Sequence, residues 1–211
     1  MFMPYVLSPM SIKIVNKIEA VEYIKSGKTV VFPTETSYGL GCDATNQSAV
    51  DNIFKIKGRR NDKPLLVVVP TVEMAKEYLE WNELLEKLSL KYWPGAVTVV
   101  GKFKRFKDLK IELASGVVGS DGTVAVRVTN ADIPKYLSEE LGRPVVATSA
   151  NLADVGDVYD PANIIKMYEG REYQPDVIID NGILAQNPPT TIVSVVSGEL
   201  KVLRQGVVIV D

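Results

Sequence analysis

Residues 29–41 read Thr-Val-Val-Phe-Pro-Thr-Glu-Thr-Ser-Tyr-Gly-Leu-Gly, a β-branched run that passes directly into a hydroxyl-rich polar stretch. The run Thr29-Val30-Val31-Phe32 predicts a strand. Upstream, Asn16 is placed to cap a helix carrying Ile18, Val21 and Ile24 on one face, and Gly27 stops it. A capped helix feeding a strand is the building unit of an α/β sheet.

The alternation continues downstream. After Tyr38–Gly41, read as a loop because of its glycines, Asn46 predicts a second helix with Val50, Ile53 and Phe54 inward and an end at Gly58. Leu65–Val69 is five apolar residues in a row, so neither face of that strand meets water. Two helices follow, from Thr71 to about Trp81 and from Asn82 to about Tyr92, then strands over 96–100, 123–128, 145–148, 177–180, 192–196 and 200–203. Helices are predicted near 131–141 and 160–169. Ser197-Gly198-Glu199 is a hairpin signal, so the sheet is mixed rather than purely parallel. No repeat or linker interrupts the 211 residues, which predicts a single domain over 1–211.

Composition excludes whole classes of chemistry. With no histidine the chain has no imidazole base, no Ser-His-Asp triad and no mixed imidazole–thiolate zinc site. Its one cysteine, Cys42, excludes an internal disulfide and a thiolate-only metal site. The residues themselves therefore nominate no resident metal site, and any ion used is a hard cation such as Mg²⁺ held partly by substrate oxygens. The apolar but short and proline-broken start, MFMPYVLSPM, is neither a membrane span nor a secretion signal, so a cytoplasmic setting with no membrane contact is expected.

Charge is segregated. Residues 55–63 and 101–110 each hold five basic residues and one acidic residue, so the remainder of a chain with net charge −2 is strongly acidic. That pattern favours local anion sites over a uniformly basic nucleic-acid face. In the first window Lys55 and Lys57 suit a helix C-terminus, worth about 0.3–1 kcal/mol each. Arg59, Arg60 and Lys63 lie beyond that end, where charge-assisted bonds to phosphate explain them better.

Nucleotide signatures are absent: there is no P-loop, and Gly116-x-x-Gly119-x-x-Gly122 leads into a strand instead of opening a helix. Four segments nevertheless carry chemistry at strand ends: Pro33–Gly41, Lys57–Pro64, Ala147-Thr148-Ser149-Ala150-Asn151, and Arg127 within Thr123–Val128. Ordinary turns, caps and a salt-bridged arginine account for each of these separately. Together they describe a polar, cationic rim on a buried sheet.

These motifs, with WPGAVTVV, TTIV and VLRQG in the same order, resemble the YrdC-like threonylcarbamoyl-AMP synthases over about residues 14–206. The resemblance implies an α/β fold with a twisted mixed β-sheet and flanking helices around a positively charged concave cavity. It implies a reaction in which L-threonine, bicarbonate or CO2, and ATP with Mg²⁺ give threonylcarbamoyl-AMP and pyrophosphate, for tRNA modification. The family's Lys-x-Arg and Ser-x-Asn signatures fall on Lys57, Arg59, Ser149 and Asn151. By resemblance Lys57 and Arg59 are catalytic, while Arg59, Lys63, Thr123, Ser149, Asn151 and Arg204 hold ATP. Thr36, Arg127, Ala147 (through its backbone) and Thr190 hold threonine. A downstream tRNA threonylcarbamoyltransferase is the implied partner, with contact to tRNA or double-stranded RNA as a further one.

The chain departs from the family pattern at Arg60 (usually proline), at residues 153–157, and at Pro189-Thr190-Thr191-Ile192. Where some archaeal relatives place a histidine near threonine, the matching residue is Val68. Two other readings use the same residues: a module that binds RNA or nucleotide without turnover, and a relative that forms carbamoyl-adenylate.

Overall fold

A computed structural model describes residues 12–58, 63–104, 112–153 and 155–211. In chain order the elements are β1 (Lys13–Ile14), α1 (Lys17–Lys25), β2 (Val30–Pro33), β3 (Tyr38–Gly41), α2 (Gln47–Lys57), β4 (Val67–Val69), α3 (Val72–Tyr78) and α4 (Glu83–Tyr92). Then follow β5 (Val97–Lys102), β6 (Thr123–Val128), α5 (Asp132–Leu141), β7 (Val145–Val146), β8 (Thr148–Ser149), α6 (Pro161–Tyr168), β9 (Val177–Ile178), β10 (Thr191–Ser194) and β11 (Lys201–Arg204).

The expected mixed sheet is divided in two. One runs β1-β9-β2-β3-β8 and the other β11-β10-β5-β6-β4-β7, each with parallel and antiparallel pairs. The extended run over 145–149 serves both. Val145 and Val146 pair with Val68 and Val67 of β4, whereas Thr148 and Ser149 pair with Leu40 and Gly39 of β3. A single strand over 145–148 was expected; the ladder partner changes at Ala147, whose N–H donates to Leu66 O at 3.0 Å.

Gly41 makes this crossing possible. A Cβ there would stand 2.0 Å from Val146 O and 2.8 Å from the Phe32 ring. The glycines of Tyr38–Gly41 are thus strand glycines demanded by close packing, and the loop reading of that stretch is corrected to β3. The hairpin between β10 and β11 forms as expected, with Ser194 opposite Lys201 and Gly198 at φ +83°.

Local signals account for the helices. Asn16 closes a capping box with Glu19 at the start of α1. Asn46 accepts from Ala49 N–H at 3.1 Å, and Gly58 ends α2 in the left-handed region. On α1, however, Ile18 is 67% exposed; the buried face is Ala20, Val21 and Ile24. The α3 helix stops at Tyr78, short of Trp81, because the chain there turns extended to bridge Leu79 to Phe103. The strand expected over 65–69 shortens to Val67–Val69, and that expected over 96–100 extends to Lys102. No described helix is long and apolar enough to cross a membrane.

Strand alternation then decides what faces where. In the six-stranded sheet Val97, Val99, Val124, Val126, Val128 and Val193 enter the main core. Their neighbours Thr98, Val100, Thr123, Ala125, Arg127 and Ile192 point the other way, into a cavity. A second core beneath α1 and α5 gathers Val21, Ile24, Phe32, Val68, Leu137 and Val145. Gly41→Ala is expected to cost about 1–3 kcal/mol by overpacking the crossing, lowering Tm by roughly 2–4 °C per kcal/mol. Gly156→Ala, where a Cβ meets open space, is expected to stay within about 0.5 kcal/mol in the same thermal unfolding measurement.

Candidate functional site

Alternation on β5, β6 and β10 forms one wall of a cavity of about 1160 Å³, and β3 with β8 contributes another. Eight of the residues singled out from sequence line it: Thr36, Lys63, Thr123, Arg127, Ala147, Ser149, Thr190 and Arg204. Lys57 and Asn151 stand behind the wall, bonded to each other, and Arg59 lies outside the described residues.

Lys57 is 4% exposed, and its ammonium donates to Ser149 O at 2.5 Å, Asn151 O at 2.7 Å and Asn151 Oδ1 at 3.0 Å. Ser149 Oγ donates to the same Asn151 oxygen, and Asn151 Nδ2 donates to Val155 O. The backbone adds Ala153 N–H to Lys57 O at 3.0 Å. One buried cation thereby shapes the turn after β8 and sets the direction of Ser149 towards the cavity.

Arg127, 3% exposed, is the penultimate residue of β6. Its Nη1 is 3.0 Å from Glu35 Oε1, across 92 residues of chain. The contact is one of charge and not a directed hydrogen bond: among the described residues, Nε and Nη1 of Arg127 and both Glu35 oxygens are buried without an aligned partner. Burial pulls the Arg127 guanidinium below its ordinary range, Glu35 opposes that pull and Arg204 adds to it. A buried guanidinium with unused donors suits a carboxylate.

At the opposite margin Arg204 donates through Nε and Nη2 to Thr190 O at 3.1 and 2.9 Å, and through Nη2 to Thr190 Oγ1 at 3.1 Å. The Thr190 and Thr98 hydroxyls are 3.4 Å apart. Gly206 lets this corner close, since a Cβ there would stand 2.1 Å from Pro189 O. Partial desolvation also lowers the Arg204 pKa, against the pull of Asp157. Thr123 donates its hydroxyl at 2.7 Å and its N–H at 3.1 Å to Asp121, which holds that carboxyl below its usual range.

Several contributors were missed from sequence. The glycine-rich stretch dismissed as a nucleotide fingerprint supplies Gly116, Gly119 and Asp121 to the cavity wall. The described lining holds three cations, Lys63, Arg127 and Arg204, and three carboxylates, Glu112, Asp121 and Asp157. Val68 is buried in the core beneath α5, and Leu65 and Leu66, just before that strand, reach the cavity. Most of the basic window 101–110 lies outside the described residues.

Two mixed sheets that enclose a polar cavity, with a buried lysine behind one wall and a buried arginine in another, define an α/β class. The chain belongs to the Sua5/YciO/YrdC family: the family model described as "Telomere recombination" matches residues 22–206. It is 34% identical over 192 residues to a threonylcarbamoyl-AMP synthase of Pyrococcus abyssi, covering 89% of this chain and 53% of the relative. It is 29% identical over 184 residues to a protein of the same name from Marinobacter nauticus, covering 85% and 91%. The crystal structure of P. abyssi Sua5 complexed with L-threonine superposes with a TM-score of 0.81 at 30% identity, over 92% of this chain and 57% of that one. The chain thus spans about half the length of the Pyrococcus relative and nearly all of the Marinobacter one.

Lys57→Met removes the ammonium but keeps the aliphatic stem, taking its donation away from Ser149 O and Asn151 O while Asn151 Oδ1 keeps that of Ser149 Oγ. A loss of about 3 kcal/mol in urea unfolding is expected, with faster amide exchange confined to residues 149–155.

Proposed function

We propose that this chain is a threonylcarbamoyl-AMP synthase, joining L-threonine, a carbonyl from bicarbonate or CO2, and the AMP part of ATP, with release of pyrophosphate. One observation carries the reading: eight residues from segments far apart in the chain, assigned by resemblance to threonine or to ATP, line the same cavity. The names of the relatives support it further.

The chemistry needs charge control and alignment more than proton shuttling. In this reading Arg127 takes the threonine carboxylate in a two-pronged contact, with Thr36, Thr190 and the Ala147 backbone around the remaining polar groups. The threonine amine attacks CO2 and loses a proton to solvent, or displaces water from bicarbonate, to form a carbamate, and a carbamate oxygen attacks the α-phosphate as pyrophosphate leaves. Lys63 and Arg59 neutralise the triphosphate, Ser149 orients phosphate oxygens, and Thr123 with Arg204 borders the nucleotide. Lys57 and Asn151 act by fixing the turn that presents Ser149.

Among the described residues no group of three or more carboxylates or thiols is assembled for a metal ion. Mg²⁺ accordingly enters as part of the Mg·ATP substrate, held chiefly by phosphates, and supplies charge neutralisation there. A cytoplasmic setting, a single domain and transfer of the product to tRNA by a threonylcarbamoyltransferase complete the proposal.

The protein incubated with Mg·ATP, bicarbonate and L-threonine is expected to release pyrophosphate only when threonine is present; release independent of threonine, or none, overturns the reading. Arg127→Ala is expected to raise the KM for threonine by about 10–100-fold, the loss of one charge-assisted fork. The KM for ATP should stay within about twofold. The reverse split would exchange the two ends of the cavity.

A further inference from the structure

Among the described residues Glu35 is the single ion-pair partner of Arg127, and its side chain is 19% exposed against 4% for the arginine. Neither carboxylate oxygen is open to solvent, and among the described residues neither has an aligned hydrogen bond. A structural salt bridge ordinarily saturates its donors and acceptors; this one leaves them unspent. Its content is charge compensation. Without Glu35 the guanidinium would be an unpaired cation inside the sheet, and it would move towards the solvent of the cavity.

Glu35 is itself tied down from two sides. It sits in the β2–β3 turn, where Thr34 Oγ1 donates to Ser37 O at 2.7 Å and Thr34 N–H donates to the same oxygen at 3.1 Å. Asn187 Nδ2, on the loop that leads to Thr190, donates to Glu35 O at 3.0 Å. Its next neighbour is Thr36, which lines the cavity. The segments that carry Arg127 and Thr190 therefore both converge on the chain neighbour of Thr36.

We infer that Glu35 is the positioning residue of the amino-acid end of the cavity: its carboxylate holds the Arg127 guanidinium in the wall, and its turn and backbone carbonyl set Thr36 and the Thr190 loop around it. The inference rests on the proposed role of Arg127. Glu35 touches no substrate in this account, and the unused donors of Arg127 remain for one carboxylate.

The test is steady-state kinetics of Glu35→Gln, Glu35→Asp and Arg127→Ala. For Glu35→Gln a rise of about tenfold or more in the threonine KM is expected, with the ATP KM within about twofold. Glu35→Asp keeps the charge and should give a smaller rise in the threonine KM alone. An unchanged or lowered threonine KM in Glu35→Gln overturns the inference, as does an equal rise in both KM values, which is what general loosening of the structure gives. If Glu35→Gln does not fold, Glu35→Asp decides by the same criterion. Arg127→Ala separates the two levels: if it leaves the threonine KM unmoved, the reading of Arg127 fails and Glu35 loses its role with it. If Arg127→Ala moves that KM and the Glu35 variants do not, only the positioning role fails.

Discussion

Everything in the molecule depends on one backbone crossing. The carbonyl of Val146 lies so close to Gly41 that no side chain fits between them, and two residues later the chain has left one sheet and joined the other. The cavity exists because the sheets are joined there but not merged. Lys57 then clamps the end of the crossing by donating to Ser149 and Asn151 from the last turn of α2. A buried ammonium costs several kcal/mol in desolvation unless well paired. Backbone carbonyls at the end of a strand are a suitable partner, since satisfying both sides at once removes two penalties.

The cavity handles charge in two different ways. At its outer margin Lys63 and Arg204 are exposed side chains, and Arg204 is braced on Thr190 by its own hydrogen bonds. Water moderates their fields, so they suit a polyanion that arrives and leaves with its counterions. Arg127 is buried, with a carboxylate 3.0 Å away, and its field is felt over a short range. A monoanionic carboxylate can use its unspent donors, whereas a triphosphate would meet the Glu35 charge several times over. On the proposed reading, burial and pairing thus separate two anionic ligands within one cavity more sharply than a uniform count of lysines and arginines would.

How much of this was legible depended on the range of the interaction. Asn16, Asn46, Gly58 and the hairpin at Gly198 act through neighbours within a few residues, and their elements form as read. The alternation of Thr123–Val128 placed Arg127 on the face opposite the valines, which is the face that bears the site. Tyr38–Gly41 was misread because glycine signals turns locally, while here the demand comes from Phe32 and from Val146 some hundred residues away. The change of sheet at Ala147 has no local mark, since an apolar run looks the same whichever strand it pairs with. The pairing of Glu35 with Arg127 likewise leaves no trace in spacing. The cavity wall at Gly116–Asp121 was passed over because it matched no phosphate-binding pattern, although its glycines and acid were plain.

The missing histidine acquires a structural meaning in this setting. An imidazole near Arg127 would share its burial, which disfavours protonation, and it would be a poor shuttle there. On the proposed reaction, rate comes from placing a nucleophilic oxygen in line with a phosphorus atom while charge is neutralised on every side. Groups that stay charged through the cycle do this without changing state: arginine and lysine remain protonated, and hydroxyls such as Thr36, Thr190 and Ser149 adjust by rotation. The demand on the fold is then rigidity. It is met by the saturated bonds of Lys57 on one side of the cavity and by the buried Glu35–Arg127 pair on the other, each joining segments far apart in the chain.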